Sequence, residues 1–291
     1  MEREYTLGLY EKSMPSDLSW EQKMLSAKEA GFDYIEISID ETDAKLARLD
    51  MSKEERLELV RLMMVTGVPI RSMCLSGHRK YPLGSNDPEV EKRGMEIMEK
   101  AIQLAEDLGI RIIQLAGYDV YYEESSFETK KRFLKNLKKA THMAEKAGVV
   151  LGFETMETEF MNTVEKAMKY TTLVDSPYLN VYPDIGNITN AAIEYKNDVL
   201  EDMMIGKGHL CAMHLKETVP GKFREIPFGT GHVNFKEAID LAWQLGIRKY
   251  VTEFWYVGHE NWKEDLVFAH DMFEKMLDEQ MTGKDEKNVE S

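Results

Sequence analysis

What the sequence lacks narrows it first. Among 291 residues there are only two cysteines, Cys74 and Cys211, both inside apolar strand-like segments and without C-x-x-C spacing. A disulfide or a structural zinc site is therefore not expected, and buried reduced thiols are. No apolar run approaches the ~20 residues of a membrane-spanning helix. The opening Met-Glu-Arg-Glu-Tyr has no apolar signal core, so a cytoplasmic protein without membrane partners is expected. No G-x-G-x-x-G or Walker loop follows the first strand-like run, which argues against a doubly wound nucleotide-binding sheet. There is no Gly/Ser/Pro-rich linker, and one domain is the better reading of this length. Basic residues are the minority, 37 against 52 acidic, and the net charge of −15 is spread along the chain. Such a field repels nucleic acid.

What is present is a regular alternation. Strand-like runs fall near residues 6–10, 33–38, 69–75, 111–116, 149–154, 179–183, 209–215 and 249–254. Charged amphipathic stretches lie between them, among them Glu54 to Met64, Val90 to Leu108 and Thr129 to Ala147. Helix stops show as glycines at Gly31, Gly67, Gly109, Gly148 and Gly246, each just before the next strand. Eight strand-helix units in strict alternation predict a parallel sheet closed into a (β/α)8 TIM barrel over residues 1–279. Residues 280–291 are polar and aperiodic and are expected to be a frayed tail. The basic cluster from Lys130 to Lys139 sits at helical spacing and reads as a solvated face.

Four successive strand-like runs end on a possible metal ligand: Glu154, Asp184, His214 and Glu253, at intervals of 30, 30 and 39 residues. In a parallel barrel these ends share one mouth. Each alone could be an ordinary loop-edge residue, but an uncompensated buried carboxylate is costly, and a divalent cation removes that cost for all three at once. Three oxygen ligands and one imidazole suit Mn, Mg, Co or Zn with positions left open for substrate. Open positions point to catalysis rather than to a structural ion.

A second polar set ends the neighbouring strands: Glu36 and Ser38, then Ser76, His78 and Arg79, then Gln114, Tyr118 and Asp119, with Glu157 beyond Glu154. Sugar hydroxyls need such an array of donors and acceptors. The loop after the seventh strand carries Lys216, Lys222 and Arg224 and the glycines Gly229 and Gly231. That is where barrels commonly hold phosphate, and Arg79 or Lys80 across the mouth could add charge.

These residues, together with Tyr182-Pro-Asp-Ile-Gly-Asn187, His214-Leu-Lys-Glu217, Pro227-Phe-Gly-Thr-Gly231, Gln114-Leu-Ala-Gly-Tyr-Asp119 and Ser72-Met-Cys-Leu-Ser-Gly-His-Arg79, resemble the L-ribulose-5-phosphate 3-epimerases, also called L-xylulose-5-phosphate 3-epimerases. Those enzymes belong to the xylose-isomerase-like barrels, and the similarity runs from Gly8-Leu-Tyr-Glu-Lys12 to the last helix. The resemblance implies a small phosphorylated sugar as substrate and Glu154, Asp184, His214 and Glu253 as metal ligands. It makes Glu154 and Glu253 the two proton-transfer groups and implies substrate contacts near Asn187, where free-sugar epimerases carry a His. A homodimer is common in similar barrels. Three competing readings remain: an aldose-ketose isomerase of the hexulose-6-phosphate type, an apurinic-site endonuclease, and a non-catalytic sugar-binding barrel. The acidic charge argues against the endonuclease. The two retained glutamates argue against the sugar-binding barrel.

Overall fold

The structure is a computed structural model that describes residues 3–289, with side chains described through residue 282. Its strands are β1 (Thr6–Tyr10), β2 (Tyr34–Ile39), β3 (Ile70–Leu75), β4 (Ile112–Ala116), β5 (Val150–Glu154), β6 (Leu179–Tyr182), β7 (Met213–Leu215) and β8 (Lys249–Thr252). The helices are α1 (Trp20–Glu29), α2 (Asp43–Leu46), α3 (Lys53–Thr66), α4 (Pro88–Leu108), α5 (Phe127–Ala147), α6 (Val164–Val174), α7 (Ile185–Tyr195), α8 (Val199–Ile205), α9 (Phe235–Gln244) and α10 (Trp262–Val289).

Each local choice has a visible cause. Ser19 and Ser52 close capping boxes with Gln22 and Glu55 at the starts of α1 and α3. Asp87 caps α4 ahead of Pro88, whose missing N–H costs nothing in the first turn. At the other ends, Gly109 and Gly148 take φ of 75° and 65°, the left-handed cap that stops a helix and aims the chain into a strand. The basic residues from Lys130 to Lys139 are exposed on α5 apart from half-buried Arg132, the solvated face expected.

All strand pairs are parallel, in the order β6-β5-β4-β3-β2-β1-β8-β7. The ring closes between β6 and β7 through single bridges, Val181 with Leu210 and Asp184 with His214. Pro183, which follows β6, has no N–H to continue a ladder. It accepts from the His214 amide at 2.9 Å instead, and β7 is shorter than the expected 209–215. Strict one-to-one alternation is also interrupted: α2 precedes α3 between β2 and β3, and α7 and α8 both lie between β6 and β7.

Strand side chains alternate between two faces. Leu7, Leu9, Ile35, Ile37, Met73, Leu75, Leu151, Phe153, Val181 and Met213 join the main core beneath the helices. The intervening positions point into the barrel, where Tyr10, Tyr34, Cys74 and Val251 form one small apolar group and Ile112, Tyr182 and Ala212 another. Cys74 is buried and Cys211 half-buried, and both are free thiols. Helix α10 runs past the expected boundary at residue 279 as far as Val289. Met281 packs against the core and Gln280 donates to Asp240, so the start of the expected tail is docked. Residues 290–291 lie outside the described part of the chain.

Candidate metal centre

Glu154 is the last residue of β5, Asp184 and Glu253 lie just beyond β6 and β8, and His214 is central in β7. Their donor atoms all lie within 4.8 Å of one another and all four residues are buried. His214 Nδ1 faces the three carboxylates, at 3.0 Å from Glu253, 3.5 Å from Glu154 and 3.9 Å from Asp184. Asp184 also caps α7, its Oδ1 accepting from the Asn187 amide at 2.8 Å, which leaves Oδ2 for the cluster. Gly186 makes this approach possible, since a Cβ there would lie 2.7 Å from the Lys216 carbonyl oxygen.

The cluster is short of positive charge. Lys216 sets its ammonium 2.7 Å from Asp184 Oδ2 and 3.6 Å from Glu253 Oε2. Even so, Asp184 Oδ2, Glu253 Oε2 and His214 Nδ1 are buried without a hydrogen-bond partner among the described residues. Burial raises the Asp184 carboxyl well above its usual range, beyond what Lys216 offsets. Burial and the neighbouring Glu253 raise Glu154 as well. Glu253 moves the other way: burial opposes its ionisation, but Lys216 and His214 hold it low. Burial works against a charged His214, yet Glu36 and Glu253 raise it well above an ordinary imidazole. Three orphaned donor atoms converging from carboxylates and an imidazole fit a hard or borderline divalent cation. A second grouping, His270, Asp271 and Glu274, lies on α10, where Arg3 already stands 3.4 Å from Glu274.

The structure sorts the other expected site residues. At the mouth, Glu157 is shared by two guanidiniums, Arg224 at 3.0 Å and Arg79 at 3.6 Å, and Arg79 donates to Tyr118 at 3.1 Å. Gln114 is buried with both amide atoms unpartnered, and Asn187 keeps its Oδ1 unpartnered while its Nδ2 donates to the Thr155 carbonyl. Lys222 is exposed in a turn with Val219. Two of the expected residues lie away from the rest. His78 is turned away from the mouth: burial pushes it down to about 4, and its Nε2 contacts the Gly94 carbonyl of α4 at 3.1 Å. Glu36 lies deeper than the mouth, fully buried in the barrel with its Oε1 2.7 Å from His214 Nε2.

The loop amides proposed for phosphate are largely engaged. Glu217 accepts from Thr218, Gly229 and Val233 amides at 3.1, 3.1 and 3.2 Å. A Cβ at Gly231 would lie 2.2 Å from Glu217 Oε1, so the loop wraps directly onto that carboxylate. Sequence reasoning missed Ser72 and Tyr182, whose hydroxyls both donate to Glu36. Their only sequence signal was a polar atom at an inward-facing strand position.

The chain is a (β/α)8 barrel with three carboxylates and one imidazole gathered at the ends of β5 to β8, a cluster that could hold a metal ion, and residues 25–274 match the family described as xylose isomerase-like TIM barrel. The chain belongs to that family. An L-ribulose-5-phosphate 3-epimerase of Salmonella paratyphi A is 45% identical over 272 residues, 93% of this chain and 94% of that one. A protein of the same name from Escherichia coli O17:K52:H18 is 44% identical over the same shares. Within the barrels, then, the chain is a member of the L-ribulose-5-phosphate 3-epimerase family, a group of isomerases. Solved structures share the fold at low identity: a D-tagatose 3-epimerase-like protein at 18% identity, TM-score 0.78, covering 96% of this chain and 99% of that one. An L-ribulose 3-epimerase superposes at 18% identity, TM-score 0.74, covering 99% and 98%. No helix among the described residues is long and apolar enough to cross a membrane.

Proposed function

We propose that this protein interconverts L-ribulose 5-phosphate and L-xylulose 5-phosphate by epimerisation at C3, and that Glu154 and Glu253 move the C3 proton. The observation that carries the reading is the convergence of Glu154, Asp184, His214 and Glu253 within 4.8 Å in a chain 45% identical to an enzyme so named. A C3 proton lies next to the C2 ketone, and its removal gives a planar enediolate that can be reprotonated on the opposite face. Two groups on opposite sides of the substrate are therefore required. Glu154 from β5 and Glu253 beyond β8 come from separate parts of the ring and supply them. A positioned acid or base of this kind is worth roughly 10²–10⁴-fold in rate.

The same four residues would hold the divalent ion, Mn, Zn, Co or Mg, which as a Lewis acid would stabilise charge developing on the ketone oxygen. The remaining roles fall to this chain's own groups. Lys216 sets a fixed positive charge beside Asp184 and Glu253. Gln114 and Asn187 offer unpartnered polar atoms to sugar hydroxyls. With the Gly229 amide taken by Glu217, the phosphate falls to Arg79 and Arg224, whose guanidiniums suit bidentate recognition. Lys222 at the exposed turn is a supplementary cation, and Glu157 orients the two arginines. Neither His78 nor Glu36 touches substrate on this reading.

Proton NMR of L-ribulose 5-phosphate in D₂O with Mn²⁺ tests it. Metal-dependent formation of L-xylulose 5-phosphate carrying deuterium at C3 is expected. An aldose product, carrying deuterium at C2 where the enediol is reprotonated, would replace the epimerase by an aldose-ketose isomerase.

A further inference from the structure

Glu36 stands three residues before the end of β2, and its neighbours Ile35 and Ile37 belong to the main core beneath the helices. Its own side chain therefore points into the barrel, where it is fully buried. Three donors from three other strands meet it. Ser72 of β3 donates to Oε2 at 2.7 Å, Tyr182 of β6 donates to Oε2 at 3.1 Å, and His214 of β7 approaches Oε1 through Nε2 at 2.7 Å. The Tyr182 ring packs edge-on against the imidazole, with centroids 4.8 Å apart and planes at 70°.

From this arrangement we infer that Glu36 is a positioning residue for the metal centre: it holds the His214 ring by its Nε2–H and so presents the Nδ1 lone pair to the ion. The inference rests on the metal reading of the Proposed function. The geometry leaves Glu36 little else to do. Ser72 and Tyr182 occupy Oε2 as donors, so Oε1 is the acceptor left for an N–H. An imidazole that gives its Nε2 proton to a carboxylate has Nδ1 free to ligate, and Nδ1 is the atom that faces Glu154, Asp184 and Glu253. Carboxylates behind ligating imidazoles fix ring orientation and raise ligand basicity. Tyr182 blocks the alternative in which the ring tilts away, because its hydroxyl is tied to the same carboxylate.

The test is direct Mn²⁺ titration by calorimetry on the wild type, Glu36→Met and Glu36→Gln, without sugar, alongside thermal midpoints in excess chelator. Glu36→Met is expected to weaken Mn²⁺ binding by about 10–100-fold, the usual cost of losing such a partner. Glu36→Gln keeps an acceptor for Nε2–H but no charge, so its loss should be the smaller of the two. The Mn²⁺ dependence of turnover in both variants should be displaced to higher Mn²⁺ with KM for the sugar phosphate moved less, a split that a general packing defect would not produce. Unaltered Mn²⁺ affinity in a folded Glu36→Met overturns the inference. Should that variant fail to fold, unaltered affinity in Glu36→Gln overturns it equally. A raised KM with normal Mn²⁺ affinity would make Glu36 a substrate contact instead. Failure of the wild type to bind Mn²⁺ would remove the metal reading itself, a result distinct from either.

Discussion

Glu11 and Asp184 stand in comparable places, just beyond β1 and β6, and both are buried carboxylates in a cluster of charges. Their surroundings are opposite. Glu11 gathers three cations: Lys23 at 3.0 Å, Arg48 at 2.6 and 2.7 Å, and Lys45 in direct contact. The Ser38 amide donates to it as well, at 2.8 Å. Burial opposes its ionisation, but Arg48 and then the lysines hold it well below the usual carboxylate range. Asp184 instead shares its space with Glu154 and Glu253 against one lysine and one imidazole. The first cluster is complete within the protein. The second has more negative charge than the protein balances, and the imbalance is what marks it as the candidate metal site.

The sharpest way to break the comparison is to neutralise one carboxylate of each kind. Glu253→Gln or Glu154→Gln should lower C3 proton exchange by roughly 10²–10⁴-fold, read by deuterium incorporation, because each removes one of the two proposed proton-transfer groups. Full turnover in either variant would end the two-glutamate reading. Glu11→Ala leaves three cations without their counter-charge and should destabilise the fold by about 3–5 kcal/mol in urea unfolding. A stable Glu11→Ala would mean that this cluster is not structural.

Metal linkage sharpens the contrast. Mn²⁺ at about 100 times its Kd should stabilise the wild type by ~2.7 kcal/mol in the same assay. Lys216→Met, which removes an ammonium 2.7 Å from Asp184 Oδ2, should bind Mn²⁺ more tightly yet unfold more readily in chelator. Weaker Mn²⁺ binding in that variant would show that Lys216 supports the ion rather than competing with it. The smallest expected effect is acidic. A carboxyl whose folded value is depressed contributes stability above its ordinary value of 4.5, and that contribution fades as pH falls below it. Unfolding free energy should therefore decline from about pH 5 downward, and less steeply in Glu11→Gln.

Most of the barrel was legible because buried parallel strands are apolar runs that stop at polar residues. Glu154, Asp184, His214 and Glu253 were legible for the same reason, since each closes such a run. Glu36 was not, because a glutamate inside an apolar strand looks alike whether it reaches the mouth or the interior. Its depth, three residues short of the end of β2, decides that. The side-chain direction of His78 was not legible because a short 3-10 turn, Gly77–Arg79, rotates successive residues apart, sending Arg79 to Tyr118 and His78 toward α4. The Glu11 cluster was invisible for another reason. Its partners Lys23, Lys45 and Arg48 are brought together only by tertiary packing, and periodicity carries no trace of it. Helix α10 outran its expected end because Lys, Glu and Gln tolerate helix even without an apolar stripe.

Among the described residues, the seam between β6 and β7 is the one join of the barrel without a continuous ladder, and Asp184 and His214 bridge it from its two sides. An ion shared by ligands from β5, β6, β7 and β8 would act as a clasp across that gap, so that loading the site and fastening the barrel become one event. Hydrogen exchange at the Cys211 and His214 amides, which bond across the seam to Val181 and Pro183, should slow selectively when Mn²⁺ is added, while amides of β2 and β3 remain unchanged.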